Sequence, residues 1–213
     1  MSRGLIALII AAAACIAGQL AEFHWLVYVA KPAAIAICFG IAFAASPTPS
    51  ARYRTLILIG LAWSALGDVL LMLPQDRFVL GLASFLVAHL FYIAAFWGER
   101  GRPVIAPMML VPLVGMGTLV FAMIRSGLPS GLLIPIGAYL IVILAMALLA
   151  TSRAAARRTA GARAAGMGAM CFVASDALLA INRFDRPLPI ASLWILGTYF
   201  AAQYAIARSV RAD

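Results

Sequence analysis

The chain has 213 residues, 65% hydrophobic and only 11% charged, with a formal net charge of +9 and a mean hydropathy of +1.05. A soluble domain carries about 45–50% apolar and about 25% charged residues, so a soluble globular enzyme, a disordered chain and a disulfide-stapled secreted domain are excluded. What remains is an all-α polytopic membrane protein: a span needs ~20 apolar residues, so the length holds about eight in one transmembrane domain, with no room for a separate soluble one.

Apolar runs fall at about 4–21, 25–45, 55–73, 78–97, 104–124, 131–151, 164–182 and 188–208. Lipid offers the backbone no hydrogen-bond partner, so runs of this length read as helices. The first run follows Met1-Ser2-Arg3 and contains Ala12-Ala13-Ala14-Cys15, which looks like a signal peptide with a lipobox. We read it as an uncleaved first span. Breakers separate the later runs: Ser46-Pro47-Thr48-Pro49-Ser50, Pro74-Gln75-Asp76-Arg77, Gly98 to Pro103, Ser126-Gly127-Leu128-Pro129, and an Arg-rich stretch over 153–163.

The positive charge is 15 arginines and one lysine, most of them between runs, and no basic patch is interleaved with aromatics as nucleic-acid binding requires. The charge therefore reads as topology. Arg3, Arg52, Arg54, Arg100, Arg102, Arg153, Arg157, Arg158, Arg163, Arg208 and Arg211 fall at one set of run ends, against Arg77, Arg125, Arg183 and Arg186 at the other. The positive-inside rule then puts both termini in the cytoplasm. Arginine far outnumbering lysine, with many alanines, points to the inner membrane of a bacterium with a GC-rich genome. Cys15, Cys38 and Cys171 lie inside apolar runs without CxxC spacing and read as small packing residues.

Two segments of the chain are alike, either as a weak internal repeat or as a chance likeness between Leu/Ala-rich helices. Gly67-Asp68-Val69-Leu70-Leu71 closes run three and Ser175-Asp176-Ala177-Leu178-Leu179 closes run seven, which suggests two four-helix halves in parallel orientation.

Ionisable residues inside spans cost at least ~2.5–3.5 kcal/mol each on insertion scales and usually mark function. Four stand out: Lys31, Asp68, His89 and Asp176. At ~1.5 Å per residue, Asp68, Asp176 and Lys31 each lie ~8–9 Å below the outer ends of their runs, and His89 lies ~16 Å down. Gly81, Phe85, His89 and Tyr92 share one helical stripe, while Ser64 with Asp68 and Tyr199 with Gln203 are i, i+4 pairs. The expected result is a polar pocket with a carboxylate pair, an imidazole, one or two tyrosines and an amide. Asn182, Arg183 and Arg186 would stand at its outer mouth. Alternatively, Lys31 snorkels or pairs with an aspartate, and Tyr92, Tyr199 and Gln203 are interhelical packing contacts.

No GxSxG elbow exists, since Gly127-Leu128-Pro129-Ser130-Gly131 has the wrong spacing. There is no HExxH and no Cys/His cluster, and His24 at an outer loop makes no zinc site with His89. No metal or other cofactor is expected. The residues leave carboxylate acid–base chemistry or proton-coupled movement.

Several segments, in order on successive runs, resemble the YhhN family of membrane lysoplasmalogenases. They are Lys31-Pro32; Ser64 with Gly67-Asp68-Val69-Leu70-Leu71; Gly81, Phe85, His89 and Tyr92; Phe172 through Ser175-Asp176 to Asn182-Arg183-Phe184; and Thr198-Tyr199 with Ala202-Gln203. The resemblance implies hydrolysis of the vinyl-ether bond of a lysoplasmalogen. The products are a fatty aldehyde and glycerophosphoethanolamine or glycerophosphocholine. Such cleavage needs one carboxylic acid to protonate carbon and one carboxylate to steady positive charge or activate water, roles that suit Asp68 and Asp176. Gly67 gives backbone access that suits Asp68 as the acid, but the assignment stays open. His89 would orient an aspartate or shuttle a proton, and Ser64, Tyr92, Tyr199 and Gln203 would bind substrate. Lys31, Arg183 and Arg186, with Asn182, would meet the phosphate headgroup. The expected partners are a lysophospholipid and the bilayer. Rival readings are a proton-coupled transporter of lipids or small molecules and a lysolipid-binding protein without turnover.

Overall fold

The computed structural model describes residues 3–74, 77–97 and 105–211. They form α1 (Arg3–Leu20), α2 (His24–Phe43), α3 (Ala51–Met72), α4 (Phe78–Phe96), α5 (Pro107–Ile124), α6 (Leu133–Arg157), α7 (Ala160–Phe184) and α8 (Ala191–Arg208), with a 3-10 turn at Ser130–Leu132 before α6. No strand occurs among the described residues. Arg100 and Arg102, which enter the topology argument, lie outside them.

Each expected run is a helix, but three extend further than their apolar stretches. α3 begins at Ala51 because the Ser50 side chain accepts from the Tyr53 backbone N–H (3.1 Å), an N-cap inside what reads as a breaker. Most of the Arg-rich stretch is helical too. Alanine and arginine are good helix formers, so α6 runs on to Arg157 and α7 starts at Ala160, capped by Thr159 accepting from Ala162 N–H (3.2 Å). The break narrows to Arg158, in the left-handed region at φ 53°, and Thr159.

Among the described residues, seven helices are long and apolar enough to cross a membrane by length and composition; α8 falls short, diluted by polar residues such as Gln203 and Tyr204. It still runs beside α7 for the full depth of the bundle. Ser175 Oγ donates to the Ile195 carbonyl (3.0 Å), Gly168 abuts Ile206, and Gly161 abuts the Ser209 and Arg211 carbonyls. The chain is an all-helical, multi-pass membrane protein.

Contacts define the two ends of the bundle. At the Arg-rich end the Tyr53 and Ser209 hydroxyls are 2.7 Å apart, Arg54 donates to the Ala45 carbonyl, and the Arg153 guanidinium lies 4.6 Å from the Tyr53 ring centroid. At the opposite end Phe78 and Phe184 meet edge to face at 5.5 Å, with Arg183 stacked 4.3 Å from the Phe78 ring.

The two halves share a register. Shifting α3 by the spacing from Asp68 to Asp176 carries Ile57, Gly60, Leu61, Ser64 and Gly67 onto Ala165, Gly168, Ala169, Phe172 and Ser175, every one buried. The same shift carries Lys31 of α2 onto Tyr139 of α6. Packing follows suit: α3 is most extensively packed with α4 and α7 with α8, while α2 crosses to α8 and α6 crosses to α4. This packing pattern is the one expected of two parallel halves.

Candidate functional site

Asp68 sits one turn from the end of α3 and is 1% exposed. A buried carboxylate needs both charge and hydrogen-bond compensation. Lys31 of α2 brings its Nζ to 2.8 Å from Oδ1, and Tyr199 of α8 donates its hydroxyl to Oδ2 at 2.5 Å. The Lys31 ammonium also lies 5.7 Å from the Tyr199 ring centroid.

Behind Tyr199 runs a polarised chain. Gln203 Nε2 donates to the Tyr199 hydroxyl (2.9 Å), the Tyr92 hydroxyl donates to Gln203 Oε1 (3.3 Å), and Ser64 Oγ lies 3.4 Å from the Tyr92 hydroxyl. Each donor strengthens the next acceptor toward Asp68. The chain exists because Ser64 and Asp68 stack one turn apart on α3, as do Tyr199 and Gln203 on α8. Gly60 admits the Tyr92 ring: a Cβ there would lie 2.3 Å from Tyr92 Cε1.

Asp176, on α7, is served differently. Tyr139 of α6 donates its hydroxyl to Oδ2. His89 lies next to this pair in an aromatic cage, with ring centroids 4.6 Å from Phe172 and 5.3 Å from Tyr139. It is fully buried, and neither ring nitrogen has a hydrogen-bond partner.

Both aspartates line one cavity of about 440 Å³. Lys31, Tyr139, Ser175 and Tyr199 join them on its polar side, and Gln19, His24, Asn182, Arg183 and Ser192 stand toward the end of the bundle at which α3 and α7 finish. Asn182 also steadies the loop after α7, its Oδ1 accepting from Leu188 N–H at 2.9 Å. The rest of the wall is apolar, including Met116, Val120, Ile124 and Leu144.

Of the residues singled out from sequence, the cavity gathers Lys31, Asp68, Asp176, Asn182, Arg183 and Tyr199. Ser64, Tyr92 and Gln203 lie behind Tyr199, and His89 behind Tyr139, outside the lining. Arg186 does not line it and instead lies 3.8 Å from Asp185. Lys31, read as a headgroup contact, a snorkelling residue or the partner of an aspartate, takes the last of these and pairs with Asp68. Sequence reasoning missed Tyr139. The signal was the repeat itself: carried back one helix, it sets Tyr139 where Lys31 stands in the first half. Among the described residues no group of three or more His, Cys, Asp or Glu side chains gathers to hold a metal ion.

The model of the YhhN family matches residues 26–210, which include Lys31, Asp68, Tyr139, Asp176 and Tyr199. The chain belongs to the YhhN family. It is 33% identical over 162 residues to Lysoplasmalogenase TMEM86B of Homo sapiens, covering 76% of this chain and 66% of that protein. It is 37% identical over 159 residues to Lysoplasmalogenase TMEM86A of Bos taurus, covering 73% and 65%. With the Lysoplasmalogenase of Mycobacterium tuberculosis it shares 32% identity over 175 residues, covering 78% and 64%. The YhhN chain thus spans just under two thirds of the length of these curated relatives. No solved structure matches it significantly.

Proposed function

We propose that this YhhN-family protein is an integral-membrane hydrolase that cleaves the vinyl-ether bond of lysoplasmalogens, releasing a fatty aldehyde and the glycerophospho-headgroup. The carrying observation is one cavity with two carboxylates under unlike compensation, Asp68 by the Lys31 ammonium and Asp176 by the neutral Tyr139 hydroxyl. The names of the relatives support the substrate class.

The geometry suggests a division of labour. An ion-paired carboxylate is poorly suited to give a proton, so the acid role goes to Asp176, the reverse of what Gly67 suggests from sequence. Asp176 protonates the β-carbon of the vinyl ether, leaving an oxocarbenium ion. Asp68 faces the developing positive charge. Water adds to the cationic carbon and returns a proton to Asp176. Asp176 then protonates the glycerol oxygen as the hemiacetal C–O bond breaks, and recovers the hemiacetal hydroxyl proton as the aldehyde forms. The sum is vinyl ether plus water to aldehyde plus alcohol.

Tyr199 fixes Asp68, and Gln203, Tyr92 and Ser64 fix Tyr199. His89 orients Asp176 through the Tyr139 ring. Arg183 and Asn182 at the mouth receive the phosphate, a task for which a guanidinium is well shaped. Lys31 sets the charge of Asp68 rather than meeting the headgroup. The expected setting is a bacterial inner membrane, with substrate drawn from the outer leaflet.

The test is product analysis. Purified protein is incubated with 1-alkenyl lysophosphatidylethanolamine and, in parallel, its 1-acyl counterpart, and mass spectrometry reads fatty aldehyde and fatty acid. Aldehyde from the first alone, lost in Asp176→Asn, is expected. Fatty acid from the second, or full activity in Asp176→Asn and Asp68→Asn alike, sinks the proposal. The parallel two-half arrangement also suits a carrier, which would move labelled lysolipid across liposomes and make no product.

A further inference from the structure

A second apolar space of about 480 Å³ lies along the seam of α5 and α6. It shares Gly117, Leu140 and Leu144 with the wall of the aspartate cavity, so these residues stand between the two spaces. From that junction the seam follows Val114, Leu113 and Leu110 on one side and Ala145 and Leu148 on the other.

We infer that this seam holds the hydrocarbon chain of the substrate, which reaches the aspartates sideways from the bilayer. The inference rests on the proposed vinyl-ether cleavage, in which the reacting bond joins head to tail. With that bond at Asp68 and Asp176, the head occupies the mouth beside Asn182 and Arg183, and the chain must leave in another direction. Straight down is closed by Phe172, His89 and Tyr92, all 0% exposed. The apolar way is lateral, past the side chains of Leu140 and Leu144. From Leu140 to Leu148 the seam runs ~12 Å at ~1.5 Å per residue, most of the half of a ~30 Å hydrocarbon core that one lipid tail spans.

α5 is suited to such a boundary. It buries only Leu113, Gly117 and Ile124, and it packs on α6 with a minor contact to α7. Gly117 is the narrow point, where a Cβ would lie 2.4 Å from Leu144 Cδ1. Any larger side chain there pushes Leu144 into the passage.

The experiment uses wild-type protein in nanodiscs with a non-cleavable 1-alkyl ether lysophosphatidylethanolamine carrying a diazirine at the tail terminus. After illumination, peptide mass spectrometry locates the label. Labelling of 110–114 and 145–148, suppressed by excess unlabelled lysolipid, is expected. Labelling confined to other helices, or labelling of the seam that the competitor leaves untouched, overturns the inference. Because the probe is never cleaved, this result is independent of whether alkenyl lipids are substrates. In parallel, Gly117→Leu should lower the ratio of long-chain to short-chain alkenyl kcat/KM by about tenfold, and an unchanged ratio in folded protein counts against the seam. If no alkenyl lipid is cleaved at all, the competed label still stands and only the vinyl-ether reading falls.

Discussion

Asp68 and Asp176 occupy the same place in two similar halves, yet they live in different company. In the first half the preceding helix supplies a cation, Lys31, and the last helix adds the Tyr199 hydroxyl with a chain of three more polar side chains behind it. In the second half the residue equivalent to Lys31 is Tyr139, a neutral donor, and an unbonded imidazole packs against its ring. Equal backbone positions thus give unequal chemistry. On the proposed mechanism, this lysine-to-tyrosine difference would separate a charge-stabilising carboxylate from a proton donor, the division between two acids that glycoside-type cleavage needs.

The comparison can be broken most decisively at the acids. Asp176→Asn should cost about 10²–10⁴-fold in turnover, the usual worth of a general acid, measured as aldehyde release, with the thermal transition in detergent unchanged within a few degrees. Asp68→Asn should also cost activity. The next effect is on stability. Lys31→Met leaves a buried carboxylate unpaired and should cost about 3–5 kcal/mol, read as a lowered thermal transition. The double variant Lys31→Met, Asp68→Asn should recover most of that loss, because no charge is left stranded. Tyr139→Met takes from Asp176 a hydrogen bond but no counter-charge and should destabilise less, which is the sharpest expression of the difference between the halves.

Packing offers a smaller contrast. Gly60→Ala meets the Tyr92 ring at 2.3 Å, and its counterpart Gly168→Ala meets the Ala202 carbonyl at 3.0 Å and Ile206 Cγ1 at 2.9 Å. Both should destabilise by about 1–3 kcal/mol through overpacking. Only Gly60→Ala should also reduce activity, since displacing Tyr92 loosens the chain that ends on Asp68. The smallest expected effect is Tyr139→Phe, which removes one hydrogen bond worth about 1 kcal/mol and should lower kcat several-fold without changing KM.

Much of the fold was legible in the amino-acid order. The eight runs are all helices, and the Asp68–Asp176 repeat shows the shared burial register of α3 and α7. Helix ends were less legible where alanine and arginine carry α6 and α7 beyond their apolar cores, because hydropathy marks the membrane slab while helix propensity ignores it. At the site, depth arithmetic placed Lys31, Asp68 and Asp176 at one level, and all three line one cavity. Depth says nothing of azimuth, so it could not separate Tyr199, on the wall, from Tyr92 and Gln203, behind it. Tyr139 was passed over because a lone tyrosine in an apolar run carries no charge to flag it.

The sequence by itself determined that this is a bundle of membrane-crossing helices with acids and a base at set depths. A bilayer forbids unpaired backbone and penalises charge, so both facts are written in one dimension. Which partner each acid meets was decided only by tertiary structure. α8 returns through the bundle to set Tyr199 against Asp68, far away in the chain, and α6 turns Tyr139 toward Asp176. Those choices depend on helix rotation and close packing at glycines, which are properties of contacts between helices and not of any one of them.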